Sequence, residues 1–343
     1  MKKPNIHDVA ERANVTPSTV SRVMNDSSLV KPHTRQRVLE AVKSLGYIPN
    51  KTAQVFKTGR SRILGLVIST QHISELVYNA GFQARFKALT VKTHNEGYNI
   101  LIISSTDANC DSYFEVIKNQ VADGFIILSP SANESLTSLL EEAGIPYVFN
   151  MKYSTNPEDI YYVSSDDIEG GYMAAKYLLD LNHTDIRFIV GVVKGSLMPF
   201  NVDRLNGFKR ALNEYSIEFK EEMIVGIPGQ MEESYNLIHQ LFQSHWPTAL
   251  MISNETTTVA ALNYFHDHGI RVPQDVSLIG FGPSEFFRNL RPNLTNVSYD
   301  ITWSSDKLVD LLLQRIEGKM VTPEWPKKPE LIIRDSTMRN FRP

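Results

Sequence analysis

"IHDVAERANVTPSTVSRVMND", residues 6–26, is the stretch on which the fold turns. Two apolar stripes recur in it at helical spacing: Val9, Ala10 and Ala13, then Val20, Val23 and Met24. Asn14 separates them, and asparagine tolerates the left-handed backbone that a sharp turn demands. Thr16 then reads as an N-cap and Pro17 as a first helical residue, a strong start signal. The stretch predicts two short helices joined by a tight turn. A third helix over "KPHTRQRVLEAVKSLGY", residues 31–47, turns Val38, Val42 and Leu45 to the same core and stops at Gly46.

The second helix has an outward face of Pro17, Ser18, Ser21 and Arg22. That face is small and polar and ends in arginine. It suits a major groove, where Arg22 would hold a guanine edge with two hydrogen bonds and the serines would donate to bases or phosphates. Arg35, Arg37 and Lys43 on the third helix are suited to backbone phosphates. A small helical hairpin with no nucleic-acid role would carry the same stripes, so charge has to weigh in. Residues 1–62 hold twelve Lys or Arg against four acids, a net of +8, which leaves −11 for residues 63–343 within an overall −3. A basic head on an acidic body favours a polyanion partner for the head.

"DVAERANVTPSTVSRVMN" (8–25), "TRQRVLEAVKSLGYIPNKTAQ" (34–54) and "GRSRILGLV" (59–67) closely resemble the head of the lactose-repressor/galactose-repressor (LacI/GalR) family of bacterial regulators. The similarity runs through to "LIIRDSTMR" (331–339). Asn14 stands where the family usually has glycine and keeps the permissive backbone. The resemblance assigns Thr16, Pro17, Ser18, Ser21, Arg22, Asn25, Tyr47, Asn50, Ala53 and Phe56 to the DNA interface. It also accounts for "NKTAQVFKTGRSR" (50–62), a basic stretch without acids that nonetheless contains Phe56. In the family this segment forms a short helix when two subunits meet on an operator, and its apolar side chain pushes between the central base pairs. Phe56 replaces the usual leucine, and phenylalanine is among the wedges that unstack a base step. Packing of Phe56 on the body is the alternative.

From residue 63 the chain alternates apolar runs with helical stretches. The runs are "ILGLVIS", "NILIIS", "GFIILS", "YVFN", "IRFIVGVV", "MIVGI", "ALMIS" and "SLIGFG". Continuous apolar runs in this rhythm suit buried parallel strands in a doubly wound α/β architecture. The rhythm occurs twice, before and after residue 163, which suggests two lobes. The predicted fold class is therefore an N-terminal all-α helix-turn-helix head plus an α/β two-lobed body with two doubly wound parallel sheets. The resemblance makes that body type I periplasmic-binding-protein-like, with chain crossings near 162, 292 and 325. The expected division is a DNA-binding domain (1–49) and a hinge (50–62). An N-terminal lobe (63–162 plus 293–325) and a C-terminal lobe (163–292 plus 326–343) follow.

A ligand is expected in the cleft where strand ends of both lobes converge. Arg204 in "DRLNGFKRAL" matches the family arginine that bonds ligand oxygens, and Asn254 after "ALMIS" matches a pocket asparagine. Asn150, ending "YVFN", stands near a family Asp or Asn; Ser69 and Tyr299 end or follow strands and are open between pocket and packing. Gly282, in "GFGP" (280–283), occupies the place of the family's sugar-binding aspartate, which removes a strong acceptor. The family's "NPF" is also missing from "STQHISELVY".

Bulk properties exclude several classes. The 343 residues suffice for two or three cooperative units. No run of 18 apolar residues is present, so no membrane partner is expected. The absence of a secretory h-region and the single Cys110 suit a reducing cytoplasm. "HDHG" (266–269) does not place two histidines on one helix face, and no P-loop, dinucleotide fingerprint or "HExxH" occurs, so neither metal, cofactor nor catalytic residue is expected. The leading expectation is a cytoplasmic, nucleoid-associated dimeric repressor of pseudo-palindromic operator DNA. Its effector would be a small molecule of the sugar type in the cleft. A protein partner or a non-sugar ligand as effector is the alternative, and a solute-binding protein or sugar-processing enzyme is more remote. The chain lacks a leucine-rich heptad tail after "RDST", which favours a dimer.

Overall fold

The computed structural model describes residues 4–24, 30–47, 59–69, 79–105, 111–119, 121–128, 134–151, 161–193, 195–227, 230–319, 321 and 326–341. The chain divides into two compact units, residues 1–61 and 62–343.

The head holds α1 (Ile6–Arg12), α2 (Pro17–Met24) and α3 (Pro32–Leu45). Asn5 caps α1 by accepting from the backbone of His7 (2.8 Å) and Asp8 (3.2 Å), and the Asp8 carboxylate accepts in return from the Asn5 N–H at 2.7 Å. Asn14 adopts φ 50°, the left-handed turn expected of it. Thr16 Oγ1 accepts from the Thr19 N–H at 3.3 Å and starts α2. Gly46, at φ 61°, ends α3. Val9, Ala10, Ala13, Val20, Val23, Val38 and Ala41 form the buried core, with Met24, Val42, Leu45 and Tyr47 packed around it. The Arg37 guanidinium donates to the Asn14 carbonyl (3.4 Å) and so ties α3 to the turn.

The body contains two sheets. The first joins β1 (Ile63–Ser69), β2 (Asn99–Ser105), β3 (Gly124–Ile127) and β4 (Tyr147–Phe149) in the order β2-β1-β3-β4, all parallel. Its helices are α4 (Ala80–Asn95), α5 (Asp111–Lys118) and α6 (Glu134–Glu142). The second lobe begins with α7 (Asp167–Asp180), β5 (Ile186–Val193), β6 (Ser196–Leu197) and α8 (Pro199–Glu214). It continues through β7 (Ile224–Ile227), α9 (Met231–Ser244), β8 (Ala249–Ile252), α10 (Glu255–Asp267), β9 (Ser277–Phe281), α11 (Ser284–Arg288) and β10 (Thr295–Ser298). The chain then forms α12 (Ile301–Ile316) and β11 (Glu330–Ile332).

Side chains of the second sheet alternate between two covered faces, which is why its strands read as unbroken apolar runs. Phe188, Val190, Met251, Ile279 and Phe281 enter one core; Ile189, Leu250, Ile252 and Leu278 enter the other. This sheet has the path β11-β10-β9-β8-β5-β6, with β7 also paired to β5. It is parallel except for β6 and β11, which run antiparallel to their neighbours.

One expected crossing moves. The sequence puts the second near 292, yet Thr295–Ser298 pairs with β9 in the second sheet, so the chain leaves that lobe only after Ser298. Helix α12 then buries Leu308, Val309 and Leu312 against the first sheet's core. The crossing segments lie side by side: Ser165 bridges Lys327, whose ammonium reaches Asp300 at 2.6 Å.

Helices α7 and α8 touch backbone to backbone. A Cβ on Gly171 would lie 2.0 Å from the Arg204 carbonyl oxygen, and one on Gly207 2.0 Å from that of Ile168. Alanine at 207 would gain about 1 kcal/mol of helix propensity, but the collision forces the helices apart. A net loss of about 1–3 kcal/mol is expected for Gly207→Ala, measurable by denaturant unfolding.

Candidate functional site

In the head, α2 presents Ser18 and Arg22 to solvent, with Pro17 and Ser21 half-buried beside them and Thr16 exposed at the helix start. These positions share the face opposite Val20 and Val23, which are buried at 0% and 3% exposure. Tyr47 packs against the head core. Asn25, Asn50, Ala53 and Phe56 lie outside the described residues.

In the body, the second lobe gathers its polar groups where β5, β8 and β9 end. Arg204, on the second turn of α8, is 8% exposed. Its Nε donates to Asp167 Oδ1 at 2.8 Å and to the Tyr299 hydroxyl at 3.1 Å, and its Nη1 donates to the Ser253 carbonyl at 3.0 Å. The guanidinium lies 4.8–5.0 Å from the ring centres of Phe281, Phe200 and Tyr299. Burial works against the charge on Arg204, but Tyr299 and Asp167 outweigh it and hold the group above its usual range. Burial pushes Asp167 up while Arg204 and Tyr299 pull it back, and burial raises Tyr299 well above an ordinary phenol. The expected donor fork is thus largely engaged within the chain.

Asn254 caps α10, its Oδ1 accepting from the Thr257 N–H at 2.8 Å. Across Gly191, Asn201 donates to the Gly191 carbonyl at 3.0 Å, and its own Oδ1 is buried without a hydrogen-bond partner among the described residues. Asn150 shares that condition at the end of β4. Its neighbour Met151 lines a cavity of about 160 Å³ together with Tyr162, Asp166, Asp167, Phe200 and Asp203. Ser69 closes β1 opposite Ser105. The structure therefore brings Arg204, Tyr299, Asn254 and Gly282 into one region.

Sequence reading missed Asp167, Asn201, Ser253 and Glu255. A buried arginine needs a carboxylate, and "SSDDIEGG" offered one at a helix start. Glu255 is 6% exposed and follows Asn254 directly. Burial raises its pKa, against bonds from its own backbone and Gly81 and the pull of Arg204. Its ionised form therefore opposes folding at neutral pH, a penalty absent below the ordinary glutamate value of 4.5 and complete above the raised folded value. Glu255→Gln is expected to raise the melting temperature at pH 7.5, with the gain shrinking to nothing as pH falls through 4.5. Melting curves across pH 4–8 check this.

A helix-turn-helix head joined to a two-lobed, cleft-bearing body defines a ligand-responsive DNA-binding regulator. Comparison with known proteins agrees. The family model described as "Bacterial regulatory proteins, lacI family" matches residues 5–50, and "Periplasmic binding protein-like domain" matches residues 175–337. The HTH-type transcriptional repressor PurR of Escherichia coli O1:K1 / APEC is 32% identical over 348 residues, covering 98% of this chain and 99% of the relative. The chain belongs to the LacI family of bacterial transcriptional regulators. Among solved structures, the regulator CelR in complex with cellobiose is 27% identical with a TM-score of 0.71, covering 97% of this chain and 99% of that one. The lac repressor dimer bound to operator and the anti-inducer ONPF shares the fold, at TM-score 0.82, 24% identity, and coverage of 98% and 100%. These relatives are transcriptional regulators rather than enzymes.

Proposed function

We propose that two copies of this chain bind a pseudo-palindromic operator as a repressor, and that a sugar or sugar derivative in the cleft sets their affinity for it. The observation that carries the reading is the exposed Ser18–Arg22 face of α2 on a self-sufficient three-helix head. In this reading Thr16, Pro17, Ser18, Ser21, Arg22, Asn25, Tyr47 and Asn50 meet the DNA, while Ala53 and Phe56 belong to the paired hinges in the minor groove. Arg204, Asn254, Tyr299, Asn150, Ser69 and Gly282 line the effector site. The CelR–cellobiose complex supports a sugar, and the operator-bound lac repressor dimer supports the two-fold assembly. The ligand acts only through different affinities for the DNA-competent and DNA-incompetent arrangements. The protein would work in the cytoplasm on the nucleoid and catalyse no reaction.

Genome-wide footprinting of the bound protein tests the reading. Discrete inverted repeats are the expected result, and uniform coverage of the chromosome would sink it. Phe56→Ala is expected to weaken operator binding much more than random-DNA binding, because unstacking is compensated only where bent DNA makes extra contacts. Equal losses on both DNAs would remove the wedge.

A further inference from the structure

Glu255 sits at the seam between the lobes. Its carboxylate is bonded to its own backbone N–H at the start of α10, and Oε1 accepts from the Gly81 N–H at 3.1 Å in the first turn of α4. Two helix N-termini, one from each lobe, thus converge on one carboxylate, the arrangement that suits a negative group. Two glycines make the space for it. A Cβ on Gly81 would lie 3.0 Å from Oε1, and one on Gly282 would lie 2.6 Å away. Gly282 also has φ 145°, a backbone that side-chain-bearing residues rarely adopt. Asp at 282 and Glu at 255 would therefore compete for the same volume.

Arg204 is the charged neighbour that acts on this carboxylate. A cavity with Asp166, Asp167 and Asp203 among its lining residues opens at Asp167, the partner of Arg204. Arg204, buried beside it, is already paired with Asp167 at 2.8 Å. An anionic ligand entering here meets like charge in a low-dielectric seam. A hydroxyl instead donates to the carboxylate in a charge-assisted bond, roughly twice as strong as a neutral one.

We infer that Glu255 is the specificity-determining carboxylate of the cleft, accepting hydroxyl hydrogens from an uncharged polyol and rejecting the phosphorylated or carboxylated forms of the same sugar. Ligand hydroxyls compete with the Gly81 N–H for one acceptor, so occupancy is felt on both lobes. The inference rests on the cleft being the effector site.

Calorimetry on the full-length protein tests it, using neutral mono- and disaccharides each paired with its phosphate or aldonic acid. Glucose with glucose 6-phosphate and cellobiose with cellobionate are two such pairs. Wild type is expected to prefer the neutral member of its best pair by at least 30-fold. Glu255→Gln should cut that preference at least tenfold, because the amide no longer repels the anion. Glu255→Asp, which keeps the charge, should retain the preference while binding the neutral sugar more weakly. A loss of folding alone would lower both members' affinities together and leave their ratio unmoved. The role of Glu255 is overturned by an unchanged ratio in Glu255→Gln, by tighter binding of an anionic member to wild type, or by no binding of any neutral sugar. Binding to an inverted repeat selected from random DNA is measured on the same samples. Its absence speaks against the repressor reading; its presence with an unmoved ratio removes only the role given to Glu255.

Discussion

Arg204→Ala is expected to lose about 3–5 kcal/mol of stability in the body, because truncating one partner of a buried ion pair leaves the other charge uncompensated. Asp167 and Arg204 have side chains only 12% and 10% exposed and meet at 2.8 Å, so the stranded carboxylate has little access to water. The arginine also carries the contacts with three aromatic rings and the Ser253 carbonyl. Adding Asp167→Leu to Arg204→Met should return most of the loss, since an apolar pair of similar volume is often neutral or better than the ions it replaces. Denaturant unfolding of single and double variants measures this. Additive losses in the double variant would mean that the pair is not the unit. Ligand binding should fall in both, which would separate the arginine's contribution to recognition from its contribution to the fold.

The second large effect belongs to the head. Arg22→Ala should weaken operator binding by about 2–6 kcal/mol, because a bidentate arginine–guanine contact contributes roughly 1–3 kcal/mol of discrimination and a dimer makes it twice. That corresponds to roughly 30-fold to 20,000-fold in Kd. Random DNA should lose far less, since the α2 core of Val20 and Val23 is untouched and the phosphate contacts expected of α3 would remain. Fluorescence anisotropy on a selected operator and on scrambled duplex gives both numbers. A parallel drop on both would reassign Arg22 to the phosphates.

The apolar runs announced themselves because both faces of each sheet are covered, and the eight runs read from the sequence correspond to β1–β5 and β7–β9. Strands β10 and β11 did not. Thr295 and Asn296 are fully buried yet polar: the Thr295 hydroxyl accepts from the Arg334 N–H, and the Asn296 amide meets Arg334 and the Gly282 carbonyl. No periodicity rule recognises a buried strand whose side chains are satisfied by the Gly282 turn and by Arg334, 38 and 39 residues away. That is why the sequence sets the crossing too early. Arg204 was legible from its motif, but its partners Asp167, Ser253 and Tyr299 stand 37, 49 and 95 positions off, a proximity that only the packed lobe creates. Glu255 was hidden for a different reason. An acid on the first turn of a helix already has an ordinary explanation in the helix dipole, and nothing local reveals that Gly81 of the other lobe faces it.

The last dozen described residues close the second layer: Leu278 donates to the Ser336 carbonyl, Asn340 to Leu181, and β11 flanks β10. The first lobe likewise waits for Leu308 and Leu312 before its core is complete. A chain emerging from the ribosome can therefore assemble its three-helix head, whose core ends at residue 47, long before either half of the sensor can finish. For much of each round of synthesis the cell holds a nascent polypeptide with a formed reading head and no means yet of hearing a metabolite.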